Sequence, residues 1–143
     1  MIHKVLYLAV ISLAIIPVSS AADIRCPVPA EHAKKIEIII KDGTSKVISG
    51  YAMIGSPNEI VVRNEDTITH GFNSSVFTDN MEVKMEGGYL AVGQGPHVFR
   101  VDAGKTMVLK FTLSRQEGSA TFAFWCDMHP SVKGEVLVVE IKC

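Results

Sequence analysis

From Lys35 onward the chain alternates apolar and polar positions in short runs parted by turn residues, the pattern of β-strands rather than of amphipathic helices. Lys35 to Lys41 carries Ile36, Ile38, Ile39 and Ile40 and stops at Asp42-Gly43, a hairpin signal. Lys46 to Ile54 reads as its continuation or partner, ended by Gly55-Ser56-Pro57-Asn58, and Glu59 to Arg63 as a third strand. Thr67 to Phe77 is β-rich but interrupted by Gly71 and Asn73-Ser74-Ser75, while Val98 to Val101 and Thr106 to Leu113 resume the pattern around Asp102-Ala103-Gly104-Lys105. Thr78 to Pro96, with Met81, Met85, Gly87, Gly88, Gly93 and Gly95, is too long for a plain hairpin loop; it predicts a short helix near residues 81–86 before a glycine-rich return. In the last segment Phe122, Phe124 and Cys126 share one face and Ala123 and Trp125 the other, with Trp125 read as core packing. Past Lys133-Gly134 the β-branched run Glu135 to Ile141 reads as a buried or nearly buried strand. Together these elements predict an all-β sandwich with Greek-key connections.

The first 22 residues depart from this pattern. Lys4 precedes an apolar run from Val5 to Val18, broken by Pro17 and followed by Ser19-Ser20-Ala21-Ala22. A membrane span needs about 20 apolar residues, so this shorter run reads as a secretory signal, cleaved after Ala21 or Ala22, with a retained anchor as the lesser alternative. Residues 23–143 are then one domain, destined for the periplasm or secretion and without a stable membrane anchor. The net charge is −1 and there is no basic block, which argues against nucleic acid or an anionic membrane surface as partner.

Export changes the reading of the three cysteines, because surplus thiols pair in oxidising compartments. Cys26 and Cys143 lie at the two ends of the mature chain, and a bridge between them is predicted; two unpaired thiols, one joining a second chain, are the alternative. By chain entropy such a bridge would add at most on the order of 4 kcal/mol. Cys126 remains as a thiolate, three positions before His129 where two strands turn into each other, and a soft thiolate beside an imidazole suits copper. Other chemistries lack parts. A c-type haem needs a second cysteine before the histidine, as does a dithiol couple, structural zinc needs four ligands, and no oxyanion donors mark a cysteine nucleophile.

Asn64 to His70 (NEDTITH), the later Phe122-x-Phe124-x-Cys126 and the loop Cys126-x-x-His129-Pro130-x-x-Lys133-Gly134 resemble the copper-site segments of the cupredoxin family, in particular its plastocyanin and amicyanin group. The resemblance implies a sandwich of seven to eight strands with one type 1 copper, held by His70, Cys126 and His129. It also implies an electron carrier rather than an enzyme, monomeric and working between redox partner proteins. Two residues depart from the family pattern. Val132 stands where the axial methionine is expected, which predicts a high reduction potential unless Met128, Met81 or Met85 substitutes. Gly71 stands where the family often has a polar residue that locks the cysteine loop, leaving Asn73, Ser74 or Asp127 as replacements. The alternative function is a periplasmic copper-tolerance protein that sequesters or delivers Cu(I), with Met81, Met85 and His97 as an auxiliary site. A third is a cupredoxin-fold subunit that serves an interface without copper.

Overall fold

A computed structural model describes residues 33–78, 81–91, 98–114 and 120–141. The predicted signal segment, Cys26, Cys143 and His97 lie outside the described residues. Within them the alternating pattern becomes strands β1 (Lys34–Lys41), β2 (Thr44–Ser49), β3 (Ala52–Met53), β4 (Pro57–Asn64), β5 (His70–Ser74), β6 (Val83–Glu86), β7 (Tyr89–Leu90), β8 (Phe99–Val101), β9 (Thr106–Thr112), β10 (Thr121–Trp125) and β11 (Lys133–Val139). These form two sheets, ordered β2-β1-β4-β9-β6 and β3-β11-β10-β5-β8-β7, in a β-sandwich.

The isoleucine run shows how pattern becomes core. Ile36, Ile38 and Ile40 are fully buried, while the alternate positions of β1 are not. Opposite them in the core lie Phe72 from β5 and Phe122 and Phe124 from β10, with the rings of Phe72 and Phe124 stacked at 5.3 Å. Asp42 and Gly43 both take positive φ, 53° and 67°, which closes a two-residue turn between β1 and β2 with Lys41 opposite Thr44. That turn lies at the end of the sandwich where β4 finishes and β5 begins.

Several expectations need correction. Among the described residues there are eleven strands rather than seven or eight, because short edge pieces such as β3 and β7 pair separately and Gly50, at φ 91°, interrupts the run from Lys46 to Ile54. The helix predicted near residues 81–86 is absent; Val83 to Glu86 form β6, antiparallel to β9. Its residues are good helix formers, but they alternate inward and outward, and the unpaired edge of β9 overrides local propensity. Trp125 is 41% exposed on the outer face of β10, so it is not core. Only Val136 of β11 is fully buried, since the other face of that sheet is open to solvent.

Candidate metal centre

The centre is built where β5 starts and β10 ends. Cys126 follows β10 on the inward face set by Phe122 and Phe124, and is 3% exposed. The loop after it folds back tightly: the Val132 amide donates to the His129 carbonyl at 3.0 Å, and the Cys126 amide donates to the Val132 carbonyl at 2.8 Å. This returns His129 over the cysteine, with Nδ1 3.6 Å from Sγ. His70 opens β5 fully buried, its ring edge-on to that of His129 with centroids 4.7 Å apart. The ligand atoms of His70, Cys126 and His129 all lie within 4.8 Å of one another. The residues predicted from the sequence therefore converge.

Their electronic state is set by their partners. His70 Nε2 lies 2.8 Å from Asp66 Oδ2. A carboxylate only accepts, so Nε2 carries the hydrogen and Nδ1 keeps a free lone pair. That Nδ1 is buried and has no hydrogen-bond partner among the described residues. A buried acceptor left open in this way is costly unless something else fills it. The Cys126 sulfur accepts a hydrogen bond from the Gly71 amide at 3.1 Å, which fixes its position. Two imidazoles and a cysteine sulfur, at the start of β5 and in the hydrogen-bonded loop after β10, make a donor set that fits a soft, thiophilic metal ion.

The supports around the three were less visible in the sequence. Asp66 also accepts from the amides of Asp42 and Gly43, at 2.5 and 3.1 Å, and its own amide donates to Asn64 Oδ1 at 3.0 Å. Burial disfavours the Asp66 charge, but the amide of Gly43, the His70 ring and the amide of Asp42 outweigh it and hold the carboxyl below its usual range. Asn64, itself buried, donates to the carbonyls of Ile68 and Val101, so the loop carrying Asp66 and His70 is tied to β8. The same β1–β2 turn accepts from Ser131 Oγ at 2.6 Å through the Gly43 carbonyl, and Ser45 Oγ donates to the Lys133 carbonyl. One turn thus braces both halves of the centre. Of the residues expected to replace the loop lock, Asp127 is gripped by Arg100 at 2.8 and 2.7 Å and hydrogen-bonded by the Asn73 side chain, whereas Ser74 Oγ is used on the Ala123 carbonyl. Arg100, a charge inside the apolar run Val98 to Val101, was the signal that could have found this partner.

The methionines do not join the group. Met81 and Met85 are partly buried against the core. Met81 lines an open groove with Pro57, Asn58 and Thr112, at the start of β4 and the end of β9, whereas the centre adjoins the other ends of those strands. Met128 is 42% exposed. Val132 is fully buried within the ligand loop.

No family profile matches the chain, and no curated protein matches it significantly. Solved structures do resemble it. A multi-copper oxidase from Pediococcus acidilactici superposes with TM-score 0.50 at 12% identity, over 91% of this chain and 30% of the oxidase. An oxidised amicyanin variant superposes with TM-score 0.43 at 16% identity, over 78% of this chain and 86% of that one. A multicopper oxidase from Campylobacter jejuni gives 0.48 at 12% identity, over 82% of this chain and 32% of its own. At such identities the likeness concerns the fold, a cupredoxin-like β-sandwich, and this chain spans about a third of either oxidase.

Proposed function

We propose that the protein is an exported type 1 copper protein that carries single electrons between redox partner proteins. The observation that carries this reading is the buried Nδ1 of His70, without a hydrogen-bond partner among the described residues, on a residue whose ligand atom lies within 4.8 Å of those of Cys126 and His129. His70, Cys126 and His129 would hold one copper ion, which when bound supplies a one-electron couple. Two imidazoles and a thiolate suit both oxidation states, so the ligands need little rearrangement between them. The chain's part is to hold them still: Asp66 orients His70, the Gly71 amide anchors the sulfur, and the short loop fixes His129. Among the described residues no further His, Cys, Asp or Glu joins the three, whereas structural zinc takes four ligands.

Val132 occupies the place of the usual axial methionine, and a site without that thioether favours the reduced metal and a high midpoint potential. His129 is the ligand nearest solvent, half-buried beside exposed Met128, and is the natural exit for an electron. Exposed Met128 is also the observation that favours the second reading, hand-over of Cu(I), since a thioether at the rim is a soft relay ligand.

The test is the visible spectrum of the mature protein after one equivalent of Cu(II), beside Cys126→Ser. An intense thiolate-to-copper band in the unmutated protein alone is expected. A copper count of zero after oxidation would refute the reading, and binding of additional Cu(I) that is lost in Met128→Ala would move it to copper delivery.

A further inference from the structure

Gly71 follows His70 inside β5, and its backbone is ordinary for a strand, so no conformational demand calls for glycine there. Space does. A Cβ at this position would collide with Asp127 Oδ1 and stand 2.5 Å from Arg100 Nη1. Arg100 sits opposite Gly71 on the adjacent strand β8, so its side chain reaches Asp127 by crossing β5 at the one point where no side chain stands in the way. There Nη1 donates to Oδ1 at 2.8 Å and Nη2 to Oδ2 at 2.7 Å, a bidentate fork, while Nη1 also lies 3.3 Å from the Phe99 carbonyl. Arg100 is 8% exposed, and a guanidinium that deep is tolerated only when paired.

The residue it grips is the immediate neighbour of Cys126, and the glycine it passes over donates its amide to the Cys126 sulfur at 3.1 Å. The Asn73 side chain, on the same strand as Gly71, hydrogen-bonds Asp127 as well. We propose that Arg100 and Asp127 are positioning residues for the thiolate: the fork clamps residue 127 to β8 across Gly71, and so holds the Cys126 sulfur on the Gly71 amide and within reach of both histidines. Because the two charges cancel, the clamp fixes the sulfur without adding net charge beside it. The copper-dependent part of this inference rests on the proposed function; the holding of Cys126 does not.

Two readouts separate the clamp from the copper reading. In the metal-free protein, the rate at which a disulfide reagent labels Cys126, read on its own peptide by mass spectrometry, should rise roughly tenfold in both Arg100→Gln and Asp127→Asn as the sulfur loses its cover. Gly71→Ala, which displaces the fork while leaving both charges in the chain, should do the same, and covers the case in which Arg100→Gln does not fold. Unchanged labelling in Asp127→Asn and Gly71→Ala would overturn the proposal whether or not the protein takes copper.

In the copper-loaded protein, both single variants should weaken copper binding by about 10- to 100-fold. Their midpoint potentials should move in opposite directions. Arg100→Gln leaves an unpaired carboxylate that favours the more positive oxidised centre and lowers the midpoint; Asp127→Asn leaves an unpaired guanidinium and raises it. The double variant should return close to the starting value. A brace with only a structural role would shift both midpoints the same way or neither, and that result would refute the charge-cancelled clamp. Absence of a thiolate-to-copper band in the unmutated protein would refute the copper reading, with the labelling rates still deciding the clamp.

Discussion

Removing the Asp66 carboxylate should damage the centre from behind while leaving every ligand atom in the chain. In Asp66→Ala three accepted hydrogen bonds vanish: those from the amides of Asp42 and Gly43 and that from His70 Nε2. The two turn amides lie near the surface and can rehydrate, so each loss costs about 0.5–1 kcal/mol. The His70 side chain is fully buried, and an orphaned donor there costs about 1–3 kcal/mol. The sum is about 2–5 kcal/mol, or roughly 10–20 °C in melting temperature for a domain of this size. The metal-free protein reports this by thermal denaturation. Copper reports a second effect. Without the carboxylate the His70 ring is free to exchange tautomers, so Nδ1 no longer holds a lone pair available to a metal at all times. Loss of such a partner costs about 10- to 100-fold in metal affinity. Competition against a Cu(I) chelator measures it, and Asp66→Asn, which keeps an acceptor without the charge, should recover part of the loss. A variant that melts early but binds copper as tightly as the parent would refute the argument, leaving Asp66 as a turn brace only.

Further perturbations probe the packing beneath the centre and its axial side. Gly134 lies opposite Phe124 with the ring across it, so that an added Cβ would stand 2.6 Å from Cζ; Gly134→Ala should overpack the core by about 1–3 kcal/mol, visible as a lower denaturant midpoint. Val132→Met should lower the reduction potential if the thioether reaches the metal, and cyclic voltammetry showing an unchanged or higher midpoint would count against Val132 as the axial residue. Asn58, fully buried, exchanges hydrogen bonds with both the amide and carbonyl of Met53 and donates to the Ser56 carbonyl; Asn58→Ala should cost about 2–4 kcal/mol in urea denaturation while leaving the thiolate band in place, because it lies at the far end of β4. Lys110→Ala, which breaks an exposed pair with Glu86, should change the melting temperature little, and a large fall would show that the β6 edge depends on it.

The sandwich and its three candidate ligands were legible for one reason: each depends on local pattern. Alternation in Ile36 to Ile40 and Phe122 to Cys126 decides which side chains face inward, and a cysteine and histidine three apart across a turn need no distant partner to be noticed. Features that depend on pairing across the sheet were not legible. The methionine-containing segment alternates over only four residues, too few to outweigh its helix propensity until the edge of β9 is there to pair with it. Trp125 alternates correctly with Phe124, and the misreading came from assuming that a tryptophan must be core, although half of a sheet's positions face outward.

The supports of the centre carry this point further. Asp66, Arg100 and the Asp42-Gly43 turn each look ordinary in the chain, as a loop acid, a strand cation and a hairpin signal. Their roles exist only because β1 runs parallel to β4 and β8 lies beside β5, which brings residues more than twenty positions apart to one end of the sandwich. The Asp42-Gly43 turn is the clearest case. Its amides serve the acid behind His70 and its carbonyl serves Ser131, two residues after His129 in the loop between β10 and β11, so a disturbance there reaches both ligand segments at once. A donor set held by hydrogen bonds to one shared turn moves as a unit, which is the mechanical condition for exchanging an electron without rearranging ligands. Lengthening that turn by a single glycine should therefore loosen His70 and His129 together, and a resonance spectrum of the copper-loaded variant that broadened for one histidine alone would show that the two halves are braced independently.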